Sequence, residues 1–219
     1  MAQMGKKHRL VLVALFALLV SGCTVPSPNE TLPVLTTGKA TEEPAMCPWR
    51  EPDADLHRFF PKATHYKRDT LILSSLRVEV LRRLGPKVPI QSNTLYAYRA
   101  QTQTPNEENA TVGTLLVRRV SGQWGAIEMV LAVNNARRVV GLRIQRHREP
   151  PEVAAILTGA KWLGAFRDKT ANDAFVVGQD LPPVPEAAQV SAQAIAGAVR
   201  ALLIEYDVAE TTREKSAGR

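Results

Sequence analysis

Two adjacent runs of alternating residues constrain the fold of this chain most. Large apolar side chains occupy every second position of residues 127–133 and 140–144, and this period of two is typical of β-strands with one buried face. Between the runs, the Asn134-Asn135 pair tolerates positive φ, so we predict a tight hairpin. The Pro150-Pro151 pair ends the second strand, because proline cannot donate to a strand ladder.

The remaining sequence predicts helices and further strands around this hairpin. The predicted elements are a helix over 53–60, a strand over 71–73, a helix between Ser74 as its N-cap and Gly85, strands over 94–100 and 111–120, helical turns over 152–157 and 161–166, and a last helix over about 191–206. In the last helix, apolar residues recur three and four positions apart. We expect one core to contain Ile127, Met129, Leu131, Ile195, Val199 and Leu202. The order favours a single α+β domain, with a mostly antiparallel sheet that helices cover on one side.

The first 22 residues have the composition of a bacterial lipoprotein signal peptide. A basic start precedes an apolar run over 10–20 that is too short to cross a bilayer as a helix. The run ends in Val-Ser-Gly-Cys23, which resembles a lipobox. We therefore expect lipid on Cys23 and a protein that faces the periplasm from a membrane of the cell envelope. A plain signal peptide with a chance cysteine, or an uncleaved anchor, are the alternatives.

The segment after Cys23 separates this signal from the domain. Residues 23–50 are rich in Pro, Thr and Glu, which predicts a flexible tether. The folded domain is then predicted over 51–207. The charged residues 208–219 are predicted to form a disordered tail.

Charge and cysteine content exclude several classes of function. The formal net charge is +7, of which Lys6, Lys7 and Arg9 supply three, so the rest of the chain carries +4. This excess is small and is not arranged in basic blocks with aromatics, so we expect no nucleic-acid partner. Cys47 is the one cysteine besides Cys23, which leaves no internal disulfide and no cysteine spacing typical of a metal site.

The second strand of the hairpin carries the most suggestive polar residues. Arg143, Gln145 and His147 are expected to share one face, and with Arg146 and Arg148 they form a basic patch that could receive a phosphate. A solvated face is the alternative. The sequence has no Ser/His/Asp set, carboxylate pair or glycine-rich phosphate loop at a meaningful spacing. Without a catalytic constellation, these observations alone support only a periplasm-facing lipoprotein with one α+β domain.

Several short motifs together resemble one known family. The motifs, in chain order, are Gly122-Gln-Trp-Gly-Ala-Ile127, Val140-Gly-Leu-Arg-Ile144, His147-Arg-Glu-Pro-Pro151, Trp162-Leu-Gly-Ala-Phe166 and Lys169-Thr170. They are similar to the FMN-binding domain family, which includes the flavin subunits of the sodium-pumping NADH:quinone reductase and of the Rnf electron-transport complex. The resemblance implies an FMN cofactor, a part in electron transport and a redox partner protein.

The flavin-attachment motif of that family is altered here. Family members carry Ser-Gly-Ala-Thr, and a flavin transferase joins the FMN phosphate to the threonine hydroxyl. In this chain the corresponding residues are Glu186-Ala-Ala-Gln189, and a carboxamide cannot form the phosphoester. Ser191 has a hydroxyl, but we expect it to cap the last helix. The flavin is therefore expected to be noncovalent, with a non-redox scaffold or binding module as the alternative.

The resemblance also implies which residues would contact a noncovalent flavin. The expected binding residues are His147, Glu149, Pro150, Trp162, Gln189 and Ser191. Among them, Trp162 would stack on the flavin ring, or else anchor its helix in the core. Arg143, Arg146 or Arg148 would contact the phosphate.

Overall fold

The computed structural model describes residues 51–85, 93–103 and 110–218. The predicted signal peptide, the lipid site at Cys23 and the tether lie outside these residues.

Five antiparallel strands form one sheet in chain order. They are β1 (His65–Ile72), β2 (Thr94–Thr102), β3 (Ala110–Ser121), β4 (Ala126–Val133) and β5 (Val139–Arg146). The hairpin predicted from the two alternating runs is β4–β5, with Leu131 opposite Leu142. β1 is longer than the predicted 71–73, because it pairs with β2 along its whole length although few of its side chains are apolar. The predicted α+β class with an antiparallel sheet is confirmed.

In the described part of the chain, five helices flank the sheet. They are α1 (Asp53–Phe59), α2 (Arg77–Leu84), α3 (Pro151–Leu157), α4 (Ala160–Gly164) and α5 (Glu186–Ala217). α2 ends at Gly85, whose φ of 93° is accessible to glycine without strain. The predicted N-cap of this helix was wrong: a 3-10 turn over Ser74–Leu76 precedes α2, and no side chain caps it.

Helices cover both faces of the sheet, not one as predicted. α5 lies on the first face, and the principal core there contains the buried residues Ile127, Met129, Leu131, Ile195, Val199 and Leu202, as expected. On the second face, Leu56 and Phe60 from the α1 region pack against Tyr98, Leu115 and Val130. α1 was predicted as a helix, but its seven residues do not reveal which face of the sheet they cover.

α5 is twice as long as the predicted last helix, so the expected disordered tail was wrong. Val208 and Ala209 extend its buried surface, and acidic residues near the predicted end of the helix bind arginines. Asp207 accepts hydrogen bonds from Arg83 and Arg137. Burial alone would raise the pKa of Asp207, but these two arginines hold it below its ordinary value. By length and composition α5 could cross a membrane, yet much of it packs inside the domain.

The connection between β4 and β5 differs from the predicted tight turn. It spans residues 134–138, and the positive φ of 58° falls on Arg137 and not on either asparagine. The Arg137 guanidinium donates to Asp207 and to Thr211 at 2.7 and 2.9 Å. These bonds to α5 hold Arg137 in a conformation that non-glycine residues seldom adopt.

Two irregularities in β5 decide which way its side chains point. The register against β4 shifts at Val140 and again at Gln145, each of which is an extra residue in β5. A bulge of this kind interrupts the alternation of faces. After the second bulge, His147 lies on the α5 face, while Arg143 and Gln145 lie on the α1 face. The expectation that these three residues share a face was therefore wrong for His147.

Candidate functional site

A buried polar cluster joins three segments at one end of the sheet. Glu149 lies between β5 and α3, Ser191 lies in the second turn of α5, and Gln123 lies in the turn between β3 and β4. The Ser191 hydroxyl donates to Glu149 Oε2 at 2.9 Å and accepts from the Gln123 backbone amide at 2.8 Å. Ser191 is fully buried and Glu149 is 6% exposed. The hydroxyl thus ties the start of α5 to both neighbouring turns.

Gly122 makes room for this cluster. A Cβ atom at this position would overlap Glu149 Oε1 and would lie 2.7 Å from Ile127 and 2.9 Å from the Ser191 hydroxyl. These separations are too short for any side chain to be accommodated without movement of the neighbours. The glycine of the Gly122-Gln-Trp-Gly motif is therefore required by close packing at the candidate site.

An apolar crevice adjoins the carboxylate. Its lining residues are Ile127, Ile144, His147, Glu149, Ala154, Leu157, Thr158 and Ile195. Glu149 Oε1 is buried, and it has no hydrogen-bond partner among the described residues. The crevice is too narrow to admit a water molecule, so solvent does not satisfy this oxygen. A buried acceptor without a donor is uncommon and marks this end of the domain as a place where a ligand or a conformational change could supply one.

Only some of the predicted binding residues meet here. His147 and Glu149 line the crevice, and Ser191 binds Glu149. Pro150 is the residue before α3 and Gln189 is partly exposed in α5, and neither lines the crevice.

Trp162 lies in the principal core. It is 3% exposed and makes an edge-to-face contact with Phe166, with ring centroids 5.4 Å apart. It anchors α4, so the alternative given for it from sequence is confirmed and the expected ring-stacking position is wrong.

Two of the three predicted phosphate contacts lie on the other face of the sheet. Arg143 donates to Asp55 of α1 at 2.7 Å, and Arg146 donates to Glu128 of β4 at 2.6 Å. Burial favours a higher pKa for Glu128, but hydrogen bonds from Arg146 and Arg119 outweigh it and lower the pKa. These arginines neutralise buried carboxylates, and neither lines the crevice.

The expected cap at Ser191 was also wrong. α5 begins five residues earlier, after Pro185, and no side chain caps it. A capping hydroxyl would stand at the helix end, whereas that of Ser191 is enclosed by Glu149 and the β3–β4 turn. The hydroxyl nearest to Gln189 in the altered motif is therefore buried and engaged.

An exposed apolar pair at the same end was missed from the sequence. Trp124 is 40% exposed and Val190 is 52% exposed. Each is the chain neighbour of one member of the Gln123–Ser191 hydrogen bond, which brings them to the same end of the domain. The side chain of Arg148 lies against Gly125, beside Trp124, and it has no ion-pair partner in the described part of the chain. We call Trp124, Arg148 and Val190 the end patch. Trp124 belongs to a turn between strands and Val190 to a helix, and no sequence pattern indicated that they would lie at the same end of the domain.

No protein-family model and no curated protein matches this chain. The resemblance to the FMN-binding family can therefore be tested only against the geometry. In this arrangement the residues do not fit a flavin. The crevice is too narrow for the ring, Trp162 is in the core, and Arg143 and Arg146 bind carboxylates on the opposite face.

Proposed function

We propose that this chain is an envelope lipoprotein whose domain resembles FMN-binding domains but carries no covalent flavin, and acts as a non-redox binding module. The observation that carries the proposal is the closed cluster at the start of α5. Ser191, the hydroxyl nearest to the altered attachment position, is buried and bonded to Glu149 and Gln123. A phosphoester needs a free hydroxyl nucleophile, and this site offers none.

The end patch supplies a surface for the binding role. Tryptophan and arginine are the residues that most often dominate protein–protein contacts, because they bury a large area and also form polar contacts. Here Trp124 and Val190 expose apolar surface, and Arg148 adds a cation beside them. The surface fits a partner protein that presents an apolar side chain for Trp124 and a carboxylate for Arg148.

Mass spectrometry and flavin titration test the loss of flavin. After co-expression with a flavin transferase, the denatured chain should have its unmodified mass. Added FMN should leave the desalted protein colourless, with no change in flavin fluorescence. An FMN-sized adduct on Ser191, or on any other hydroxyl, would overturn the proposal.

Reversible FMN binding linked to electron transfer is the competing proposal. It rests on the resemblance and on the unpartnered Oε1 atom of Glu149, which would gain a donor from a ligand if the crevice opened. A yellow protein that releases FMN on denaturation would favour it. In that case Glu149→Gln should weaken FMN binding, whereas Glu152→Gln, an exposed change on α3, should not.

Site-specific photo-crosslinking tests the binding surface in cells. A photoreactive residue at Trp124 should give a discrete protein adduct, and Arg148→Glu in the same chain should reduce it. The matched control is Val78, which is 84% exposed on α2, away from the end patch. The same products from both positions, or none from Trp124, would count against a partner at this end.

Lipid attachment is tested at the two cysteines. We expect labelled palmitate on the wild-type chain and on Cys47→Ala, and no label on Cys23→Ala. The Cys23→Ala chain should also leave the membrane fraction after a salt wash. If it stayed bound, an uncleaved anchor would replace the lipoprotein proposal.

A further inference from the structure

An open cleft lies at the opposite end of β5 from the Glu149 cluster. It encloses about 330 Å³, within the range of pockets that hold small ligands. Its lining residues are Arg58, Phe59, Pro61, Asn134, Val139, Val140, Arg167 and Asp168. Three separate parts of the fold form it: the end of α1, the start of the β4–β5 hairpin loop with β5, and the turn after α4.

The cleft has arginine side chains on its walls and the apolar residues Phe59 and Val140 on its floor. Arg58 and Arg167 are exposed, and neither guanidinium has a hydrogen-bond or ion-pair partner in the described part of the chain. Most other arginines of that part bond a carboxylate or a carbonyl, as Arg143 does with Asp55. Two unpaired guanidinium groups that line one cleft are therefore unusual for this molecule. They make it the most cationic cavity described here, since Asp168 is its one acidic lining residue.

Specific contacts hold Phe59 of the floor and the turn after α4, which carries Arg167, in place. Phe59 packs against the backbone of Gly141, where a Cβ atom would lie within 2.5 Å of its ring. The turn that carries Arg167 is fixed to β5 by the Asp168 amide, which donates to the Val139 carbonyl at 2.8 Å. Arg138 donates to the Asp168 carbonyl at 3.2 Å and brings a third cation beside the cleft. These contacts hold the segments that carry Arg58 and Arg167 in place.

We propose that this cleft binds a phosphate group attached to an apolar body. Phosphate accepts charge-assisted hydrogen bonds from guanidinium groups, often two from one arginine, and the Arg58 and Arg167 groups supply such donors. The apolar body covers Phe59 and Val140. The phosphate can belong to a lipid headgroup or to a soluble phosphate ester. The inference stands apart from the proposed function, because it uses neither the end patch nor the Glu149 cluster.

Titration of the full chain in neutral detergent separates the two sources. The probes are phenyl phosphate, a soluble phosphate ester with an apolar ring, and dihexanoyl phosphatidylglycerol, a short-chain lipid that the detergent micelles take up, with binding measured by ³¹P NMR. Tighter binding of the lipid, by tenfold or more, assigns the cleft to a headgroup. Binding of the soluble ester that equals or exceeds that of the lipid assigns it to a soluble phosphate ester. Arg58→Gln and Arg167→Gln should each weaken binding roughly tenfold, the loss expected for one hydrogen bond to a charged group.

The control is Arg77→Gln, an exposed change on α2 away from the cleft. It should leave binding of both probes unchanged. Because the guanidinium groups of Arg58 and Arg167 make no hydrogen bond or ion pair with the described residues, their variants should keep the wild-type melting temperature. Binding that is absent from the wild type, or equal in wild type, Arg58→Gln and Arg167→Gln, overturns the proposal.

Discussion

Removal of one partner from the buried ion pair between β3 and α5 should destabilise the domain strongly. Arg118 and Glu205 have side chains that are 6% and 1% exposed, and Arg118 Nη1 lies 3.2 Å from Glu205 Oε1. Glu205→Ala would leave a guanidinium group under α5 with no counter-charge and no water to solvate it. We expect the free energy of unfolding to fall by about 3–5 kcal/mol. This is a large fraction of the ~5–15 kcal/mol typical of a whole domain.

A double-mutant cycle isolates the interaction. The double variant Arg118→Met with Glu205→Leu removes both charges together and replaces them with an apolar pair of similar volume. Its loss in the free energy of unfolding should therefore be smaller than the sum of the losses in Arg118→Met and in Glu205→Leu, by about 2 kcal/mol or more. Urea denaturation followed by circular dichroism measures each variant. Glu79→Ala, which breaks an exposed pair with Arg82 on α2, is the matched control and should leave the free energy of unfolding almost unchanged. The reasoning would be refuted if Glu205→Ala lowered the free energy of unfolding as little as the control does. It would also be refuted if the losses of the two single variants added up to that of the double variant.

Three other changes test the core, the site and the acid response. Leu131→Ala should lower the free energy of unfolding by about 2–5 kcal/mol, while the exposed control Val78→Ala should change it by less than about 0.5 kcal/mol in denaturant melts. Gly122→Ala should lower the melting temperature, because its Cβ overlaps the Glu149 carboxylate; an unchanged melt would show that the site adapts freely. Asp207 has a lowered pKa in the folded state, so its stabilisation is complete above about pH 4 and is lost as the pH falls through that folded-state pKa. The stability difference between wild type and Asp207→Asn should therefore shrink on acidification, and a constant difference would contradict the cause given.

Local periodicity explains why the hairpin and the core were predictable. Every second residue of β4 faces α5, so Ile127, Met129 and Leu131 could be assigned to the core from their spacing alone. The apolar stripe of α5, with Ile195 and Val199, follows from helical spacing in the same way. These features depend only on residues close together in the chain.

Long-range pairing explains most of what the sequence did not show. Arg99 and Arg118 occupy core-facing positions of their strands, where a polar residue normally indicates exposure. Their partners Glu210 and Glu205 lie about a hundred residues away, in or beyond the last turns of the predicted helix. Because of this pairing, the charged segment around Glu205 and Glu210 forms a buried part of α5. No pattern among neighbouring residues indicates such a pairing.

The candidate site was only partly predictable for a related reason. Glu149 and Ser191 belonged to the expected set, but their mutual hydrogen bond depends on how α5 crosses the sheet. The bulge at Gln145 sends His147 to the crevice, although simple alternation placed it elsewhere. Single extra residues in a strand leave little trace in apolar periodicity, and each one reverses the face of the side chains that follow.

α5 follows all five described strands in the sequence, and this order has a consequence for biosynthesis. Its first half fills the principal core, and its second half supplies the acids that neutralise the buried arginines of β2 and β3. A nascent chain that has not yet produced Glu186 therefore presents the apolar face of β4 and an uncompensated Arg118 with nothing to cover them. Contacts between segments so far apart in sequence form slowly, because a long loop must close first. Ribosome-stalled or prematurely terminated chains should accordingly require chaperone protection until α5 is made, and acquire native protease resistance only afterwards.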